Sequence, residues 1–410
     1  MIEITGRYNS AKVLVEDYCK LEESCYKQIL NLLNQKFSEG SNIAIMPDTH
    51  AGAGCVIGFT QTIVDKVVPN LVGVDIGCGM LVLKISKEYK ELFNKSGLEK
   101  LDKVIRQNIP VGMNHRDKKH SFCDNVHIDK IKAPVNVDKL LLSVGSLGGG
   151  NHFIEVDKDS NGDFYIVIHS GSRHLGIEVC KYYQNKAIEY HKNIRGIKTF
   201  ISDLKQNKAI SEKDYESMIE KYKKENPPIP NELAYLEGKD LEDYLDDMKL
   251  AQEYAYWNRK AMLDEIIKGM GIKKDMILDE FCTIHNYIDI ENRILRKGAI
   301  SLQKDETAII PINMSYGSLI VKGKGNPNYN FSGPHGAGRL MSRSEAKSNL
   351  RMEDFKQSMK DIFTTSVCSA TIDEAPMAYK PAEDILSNIK ELCEVVEIIK
   401  PIYNLKAAEE

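Results

Sequence analysis

At 410 residues the chain has room for two or three ordinary domains and a large core, and 42% hydrophobic with 28% charged residues is the balance of a folded protein, which excludes a disordered chain. No apolar run is long enough to span a bilayer, MIEITGRYNS has no basic segment ahead of an apolar one, and nine cysteines without framework spacing fit reduced thiols, which together predict a cytoplasmic protein with no membrane contact. A formal net charge of −4 excludes a chain-wide pull toward nucleic acid, so any polyanion site must be a local basic patch.

Residues 11–38 carry Ile29, Leu30, Leu32 and Leu33 at helical spacing among charges, which predicts an amphipathic surface helix. SNIAIMPDTHAGAGCVIGF follows, an apolar strand ending in Pro47, Asp48 and His50 with glycines at 52, 54 and 58. Asp48 and His50 are candidate metal ligands or supporting groups, and a turn-stabilising Asp is the alternative. LVGVDIGCGM at 71–80 predicts a strand through Val72 and Val74 that runs into a turn bearing Asp75 and Cys78 among Gly73, Gly77 and Gly79. A carboxylate and a thiolate from one tight turn make half a metal site, with imidazoles to come from elsewhere; the alternative is a glycine turn with a buried cysteine.

Residues 85–140, with His115, His120, His127 and Cys123 in a polar run, read as a surface loop. Glycine density returns in SVGSLGGGNHFIEV (143–156) and DFYIVIHSGSRHLG (163–176), where His152 precedes one strand-like segment and His169 ends the other. Residues 177–270 are Lys/Glu-rich with helical periodicity broken by Pro227, Pro228 and Pro230, which predicts a helical insertion with a largely solvated face and Trp257 packed on the body.

TIHNYIDI (283–290) places His285 in a β-rich run, and RILRKGAI (293–300) brings three basic residues before a glycine. From Gly317 to Lys347 lie Lys322, Lys324, Arg339, Arg343 and Lys347 against one acidic residue, Glu345, and within this basic stretch GPHGAGR sets His335 among glycines. Such glycines let main-chain N–H groups approach a phosphate. Four of the ten histidines, one Cys and one Asp thus share a setting at a strand end or glycine turn, which predicts a metal-dependent phosphoryl-transfer enzyme acting on a nucleotide or polyanion.

MPDTHAGAGCVIG, VGVDIGCGM, SVGSLGGGNHFIE, HSGSRHLG, HNY, RKGA, SGPHGAGRLMSR and DEAPMAYK, in that order from about residue 43 to the C-terminus, resemble the RtcB family of RNA ligases. The resemblance implies an α+β fold, central β-sheets forming a metal-containing cleft surrounded by helices, as one catalytic domain over 1–410 with 177–270 inserted in it. It implies GTP- and manganese-dependent joining of RNA 2′,3′-cyclic-phosphate or 3′-phosphate ends to 5′-hydroxyl ends, in RNA repair or tRNA splicing, through a guanylylated histidine, here His335. Asp75, Cys78, His152, His169 and His285 match the ligands of two manganese ions, and five donors for two ions suggest that Cys78 bridges, with Asp75 and His152 on one ion and His169 and His285 on the other. Asn151 matches a phosphate-holding residue, and Glu155, Ser318, Tyr379 and Lys406 match the guanine pocket, joined at the nucleotide by Asn313 and by Gly336, Ala337 and Gly338 around the nucleophile. Lys297 would neutralise developing charge, and Asp48 would orient a metal ligand. The implied partners are RNA with those ends, GTP and an archease-like activator, and the implied state is a monomer.

Three departures stand out. Pro311, Ile312, Asn313 and Met314 replace the usual Pro-Gly-Ser-Met turn, His174 follows Arg173 where the family often has Gly, and residues 113–127 lack the usual glycine-rich text. The competing readings are a metal-dependent cyclic phosphodiesterase or phosphatase, an enzyme that caps 3′-phosphate ends without sealing, and an end-binding protein with a degenerate site.

Overall fold

The site is built between two mostly antiparallel sheets whose strands alternate with the glycine turns. A computed structural model describes residues 1–194, 197–206, 212–225 and 229–406. One sheet has six strands in the order Ile2–Thr5, Ser10–Val13, Ile43–His50, Ile57–Thr62, Ile294–Lys297 and Asn286–Asp289. The other has eight, running Ile277–Ile284, Gly79–Ile85, Phe164–Ser170, Phe153–Lys158, Cys393–Lys406, Gly317–Gly323 and Thr307–Asn313, with Phe363–Thr364 paired to Cys393–Lys406. Helices pack around these sheets rather than alternating with parallel strands, which makes the fold α+β. Among the described residues no helix is long and apolar enough to cross a membrane.

The Ile43–His50 strand shows why an irregular strand serves a site. Its ladder with Ile57–Thr62 shifts register between Ile45 and His50. Pro47, which has no N–H to give a ladder, lies in that break. Asp48 is thereby released from regular pairing and is fully buried.

Several local expectations are corrected. The helix expected in 11–38 is Glu23–Leu33, with Cys25, Ile29, Leu32 and Leu33 buried, while Ser10–Val13 is a strand. At 71–80 the strand follows the turn: Pro69–Leu71 is a 3₁₀ turn, Val74 is exposed, and pairing starts at Gly79. The cause is backbone hand, since Gly73 (φ +95°) and Gly77 (φ +72°) are left-handed and no strand passes through them. Residues 85–140 are not one loop: Lys95–Asn108 is a helix burying Leu98, Leu101, Val104 and Ile105, and His120 is buried, although His115 and His127 are exposed.

The region 177–270 is mainly helical where described, with a two-residue strand at Leu236–Glu237 between the helices, and its second half is not solvated. Helix Gly238–Met270 is 33 residues long and buries Tyr244, Met248, Tyr254, Asn258, Arg259 and Met262 among others. It packs on Lys95–Asn108 and on the backs of strands Gly79–Ile85 and Phe164–Ser170. Of the three prolines, Pro227 and Pro228 lie outside the described residues, and Pro230 caps a 3₁₀ turn, Asn231–Leu233.

The turn and the long helix meet at Gly77, where an added Cβ would sit 2.9 Å from Ala255 Cβ and 3.1 Å from Gln252 Cα. Gly77→Ala is expected to cost about 1–3 kcal/mol from left-handed strain alone, with the helix contact adding to it. Urea unfolding checks this, and an unchanged midpoint would contradict it.

Candidate metal centre and nucleotide cavity

The turn after Leu71 brings Asp75 and Cys78 to the end of strand Gly79–Ile85, where the neighbouring strands deliver three imidazoles. Met80 pairs with His169 and His169 with Phe153, which places His152 and His169 at the same end of adjacent strands. His285 lies between strands Ile277–Ile284 and Asn286–Asp289, its N–H bonded to the Cys78 carbonyl at 2.9 Å. Cys78 Sγ is 3.4 Å from His152 Nε2 and 3.3 Å from His169 Nε2. His152 Nε2 is 3.0 Å from Asp75 Oδ2, and His169 Nε2 is 3.4 Å from His285 Nε2. Two donor groups result, Asp75–Cys78–His152 and Cys78–His169–His285, each with its atoms within 4.8 Å of one another and with Cys78 in both.

This donor set fits divalent cations. His169 Nε2 faces both a sulfur and a second imidazole nitrogen, and one ring N cannot satisfy both with a single proton. Burial, reinforced by neighbouring imidazoles, holds His169 and His285 well below the ordinary histidine range, so both are neutral, the ligating form. Burial and the Asp75 charge push the Cys78 thiol well up, so a thiolate forms here only with a cation to balance it.

Beside this cluster stands His335, its ring 4.9 Å from that of His285. Buried Asp48 holds it through one oxygen, Oδ2, which lies 2.7 Å from His335 Nδ1 and accepts the His335 main-chain N–H at 3.1 Å. A proton fixed on Nδ1 leaves Nε2 with the lone pair. The approach requires Gly338 (φ +75°), where a Cβ would fall 2.4 Å from the Asp48 carbonyl oxygen. His335 opens into a cavity of about 290 Å³. Its lining includes Asn151, Glu155, His169, Asn313, Ser318, Gly336, Ala337, Gly338, Tyr379 and Lys406.

A family model described as tRNA-splicing ligase RtcB matches residues 28–139 and 136–407. The chain belongs to the RtcB family. RNA-splicing ligase RtcB of Escherichia coli (strain K12) is 30% identical over 94% of this chain and 95% of its own length. The tRNA-splicing ligases RtcB of Archaeoglobus fulgidus and Methanococcus maripaludis are 26% and 23% identical, over 89% and 91% of this chain and 87% and 88% of their own.

Of the residues expected from RtcB, the five donors converge and every nucleotide candidate reaches the cavity wall. Two placements differ from expectation. Asp48 orients His335 rather than one of the five donors. Lys297 does not line the cavity: its ammonium donates to the carbonyls of Ala53 and, at 3.0 Å, Asn70, because its strand turns the side chain away from the His335 side. Asn313 spends its amide oxygen on the N–H groups of Ser315 (3.0 Å) and Tyr316 (2.8 Å), which closes the turn to Gly317 and leaves its NH₂ for the cavity. The basic stretch is divided, with Arg339 and Arg343 on the wall and Lys322 exposed elsewhere on its strand.

Sequence reasoning missed the acidic partners of those arginines. Glu374 takes Lys406 Nζ at 2.6 Å, the Tyr379 hydroxyl at 2.5 Å, Arg343 at 3.0 Å and Arg339 at 3.2 Å, and Asp373 takes Arg343 at 2.6 Å. The only signal was DEAPMAYK itself, which carries both acids but no hint of their partners.

Two predictions follow from these contacts. A Cys78 that is merely packed should lose under about 1.5 kcal/mol on replacement by Ser, whereas a shared thiolate ligand should take both cations with it. Manganese titration of Cys78→Ser is expected to show both sites weakened; two ions held normally would refute sharing. Burial alone would raise Glu374, but Lys406 and Arg343 hold it down to about 2. A depressed carboxyl stabilises the fold fully above its ordinary value of 4.5 and loses that contribution as pH falls toward 2. Urea unfolding from pH 5 to 2 should therefore cost the wild type more than Glu374→Gln, by on the order of 3 kcal/mol; parallel curves would contradict this.

Proposed function

We propose that this protein is a GTP- and manganese-dependent RNA ligase that joins 2′,3′-cyclic-phosphate or 3′-phosphate ends to 5′-hydroxyl ends through a covalent His335–GMP. One observation carries the reading. An imidazole whose Nδ1 is engaged by a buried carboxylate opens into a nucleotide-sized cavity, 4.9 Å from the ring of a histidine in the donor cluster. The names of the bacterial and archaeal relatives, RNA-splicing and tRNA-splicing ligases, support it.

Asp75, Cys78 and His152 would hold one ion, and Cys78, His169 and His285 the other. Bound divalent ions supply positive charge against phosphate oxygens and lower the barrier to phosphoryl transfer. Neutral His335 presents Nε2 to the α-phosphorus of GTP, so that the N–P bond forms as the bond to pyrophosphate breaks. Asp48 keeps the Nδ1 proton hydrogen-bonded and stabilises the positive charge that grows on the ring. Asn151 holds phosphate, while Glu155, Ser318, Tyr379 and Lys406 hold the base. Ser318 Oγ is buried with no protein partner, which leaves it free for a ligand. An RNA 3′-phosphate oxygen then takes GMP from His335, and a 5′-hydroxyl displaces GMP to close the phosphodiester.

Incubation with α-labelled GTP and manganese should leave label on the denatured protein. His335→Ala should abolish the label without loss of fold or metal, and Asp48→Asn should slow labelling by on the order of 100-fold. A wild type that opens cyclic phosphates but never retains label would replace this reading with a hydrolase.

A further inference from the structure

The base end of the cavity holds a second carboxyl group that the mechanism above does not use. Glu155 and Asp157 are two residues apart on strand Phe153–Lys158 and therefore side by side on one face. They are 3% and 0% exposed. Glu155 lines the cavity and accepts the Asn404 amide N–H at 2.5 Å. Asp157 stands behind it, and no protein donor reaches either of its oxygens. Its strand neighbours cannot help: Pro401 has no N–H, and the Tyr165 hydroxyl is bonded to Asp159 at 3.1 Å. Two ionised carboxylates here would be adjacent acceptors with nothing to donate between them, a costly arrangement in a buried site. One shared proton removes the conflict. Burial raises both groups, and the Glu155 charge raises Asp157 further.

Lys406, Arg339, Arg343 and, at 3.9 Å, Lys347 meet Glu374 and Asp373 here, so cations outnumber those two carboxylates and offset a negative charge on the Glu155–Asp157 pair. Cations already engaged by carboxylates leave this end suited to a neutral base rather than a phosphate.

We infer that Asp157 is a positioning residue for guanine, a carboxylic acid that donates its proton to Glu155 and so keeps Glu155 ionised and acceptor-only toward the cavity. This rests on the reading that the cavity takes GTP. Guanine offers N–H donors at N1 and N2, whereas adenine offers an acceptor at N1, so an acceptor-only Glu155 selects the first and rejects the second. Without the donated proton, a buried Glu155 gains a proton itself and loses that discrimination.

The test compares GTP and ATP binding, with manganese present, for wild type, Asp157→Asn and Asp157→Leu. Asn keeps an N–H to donate and should stay within about threefold of wild type, whereas Leu should weaken GTP by about 10- to 100-fold and leave ATP unchanged or tighter. Infrared difference spectra of wild type against Asp157→Asn at neutral pH should show the carbonyl band of a protonated carboxyl, and this measurement stands even if the Leu variant fails to fold. Equal GTP affinity in wild type and Leu, equal losses in Asn and Leu, or no protonated-carboxyl band would each overturn the inference. A wild type that neither binds GTP nor becomes labelled would sink the ligase reading and this inference with it, whereas normal labelling with an indifferent Asp157 would sink the inference alone.

Discussion

A buried guanidinium joins the two halves of the donor cluster. Arg259 Nη1 donates to the carbonyls of Gly77 (2.8 Å) and Ser170 (2.7 Å), the residues adjoining Cys78 and His169. Burying an Arg is costly unless its donors are met, and here Nη1 is met by the backbone that positions the ligands and Nη2 by Cys282 Sγ at 3.5 Å, while Nε has no partner. The preceding residue extends the clamp: Asn258 accepts the main-chain N–H of Gly145 (2.8 Å) and Ser146 (3.1 Å) and donates to Ser170 Oγ (3.2 Å) and the Gly171 carbonyl (3.1 Å). One turn of one helix therefore fixes the Asp75–Cys78 turn, the loop leading to His152 and the strand end carrying His169.

That rigidity is what convergent donors demand. The sulfur and nitrogen atoms held 3.3–3.4 Å apart share too few protons to satisfy every contact among them, and a flexible turn would relax them outward. The turn cannot relax, because Gly77 is packed on Gln252 and Ala255 of the helix that carries Arg259. The same logic holds for His335, which is fixed at its backbone and its ring by one carboxylate buried in the break of a strand.

What was legible in the sequence was the local chemistry. Histidines beside glycine turns stand out because glycine density marks backbone that must approach something closely, and all four candidates, with Asp75 and Cys78, come to one place. The Asp48–His335 pair was not legible as a pair: the residues are 287 positions apart, and each alone reads as a turn Asp or a glycine-loop His. The Gly238–Met270 helix misled for a different reason. Its Lys/Glu content is typical of a solvated face, and periodicity gives no means of telling that Asn258 and Arg259 point inward to backbone groups. The strand at Gly79 was displaced because valines at 72 and 74 were weighed as strand formers while the left-handed glycines around them decided the path.

The arrangement of charge separates the two ends of the cavity. In the cavity wall Arg339, Arg343 and Lys406 share the carboxylates of Glu374 and Asp373, so the field there is largely offset and recognition falls to hydrogen-bond pattern. At the other end His169 and His285 are neutral, the thiol needs a cation to ionise, Asp48 faces His335, and the Arg259 guanidinium beside the cluster is spent on backbone carbonyls. The side chains that converge there present lone pairs, which match cations rather than a phosphate. Cations held by the donor cluster would give that end of the cavity a charge opposite to that of a phosphate, so any phosphate chemistry beside His335 would depend on filling the cluster.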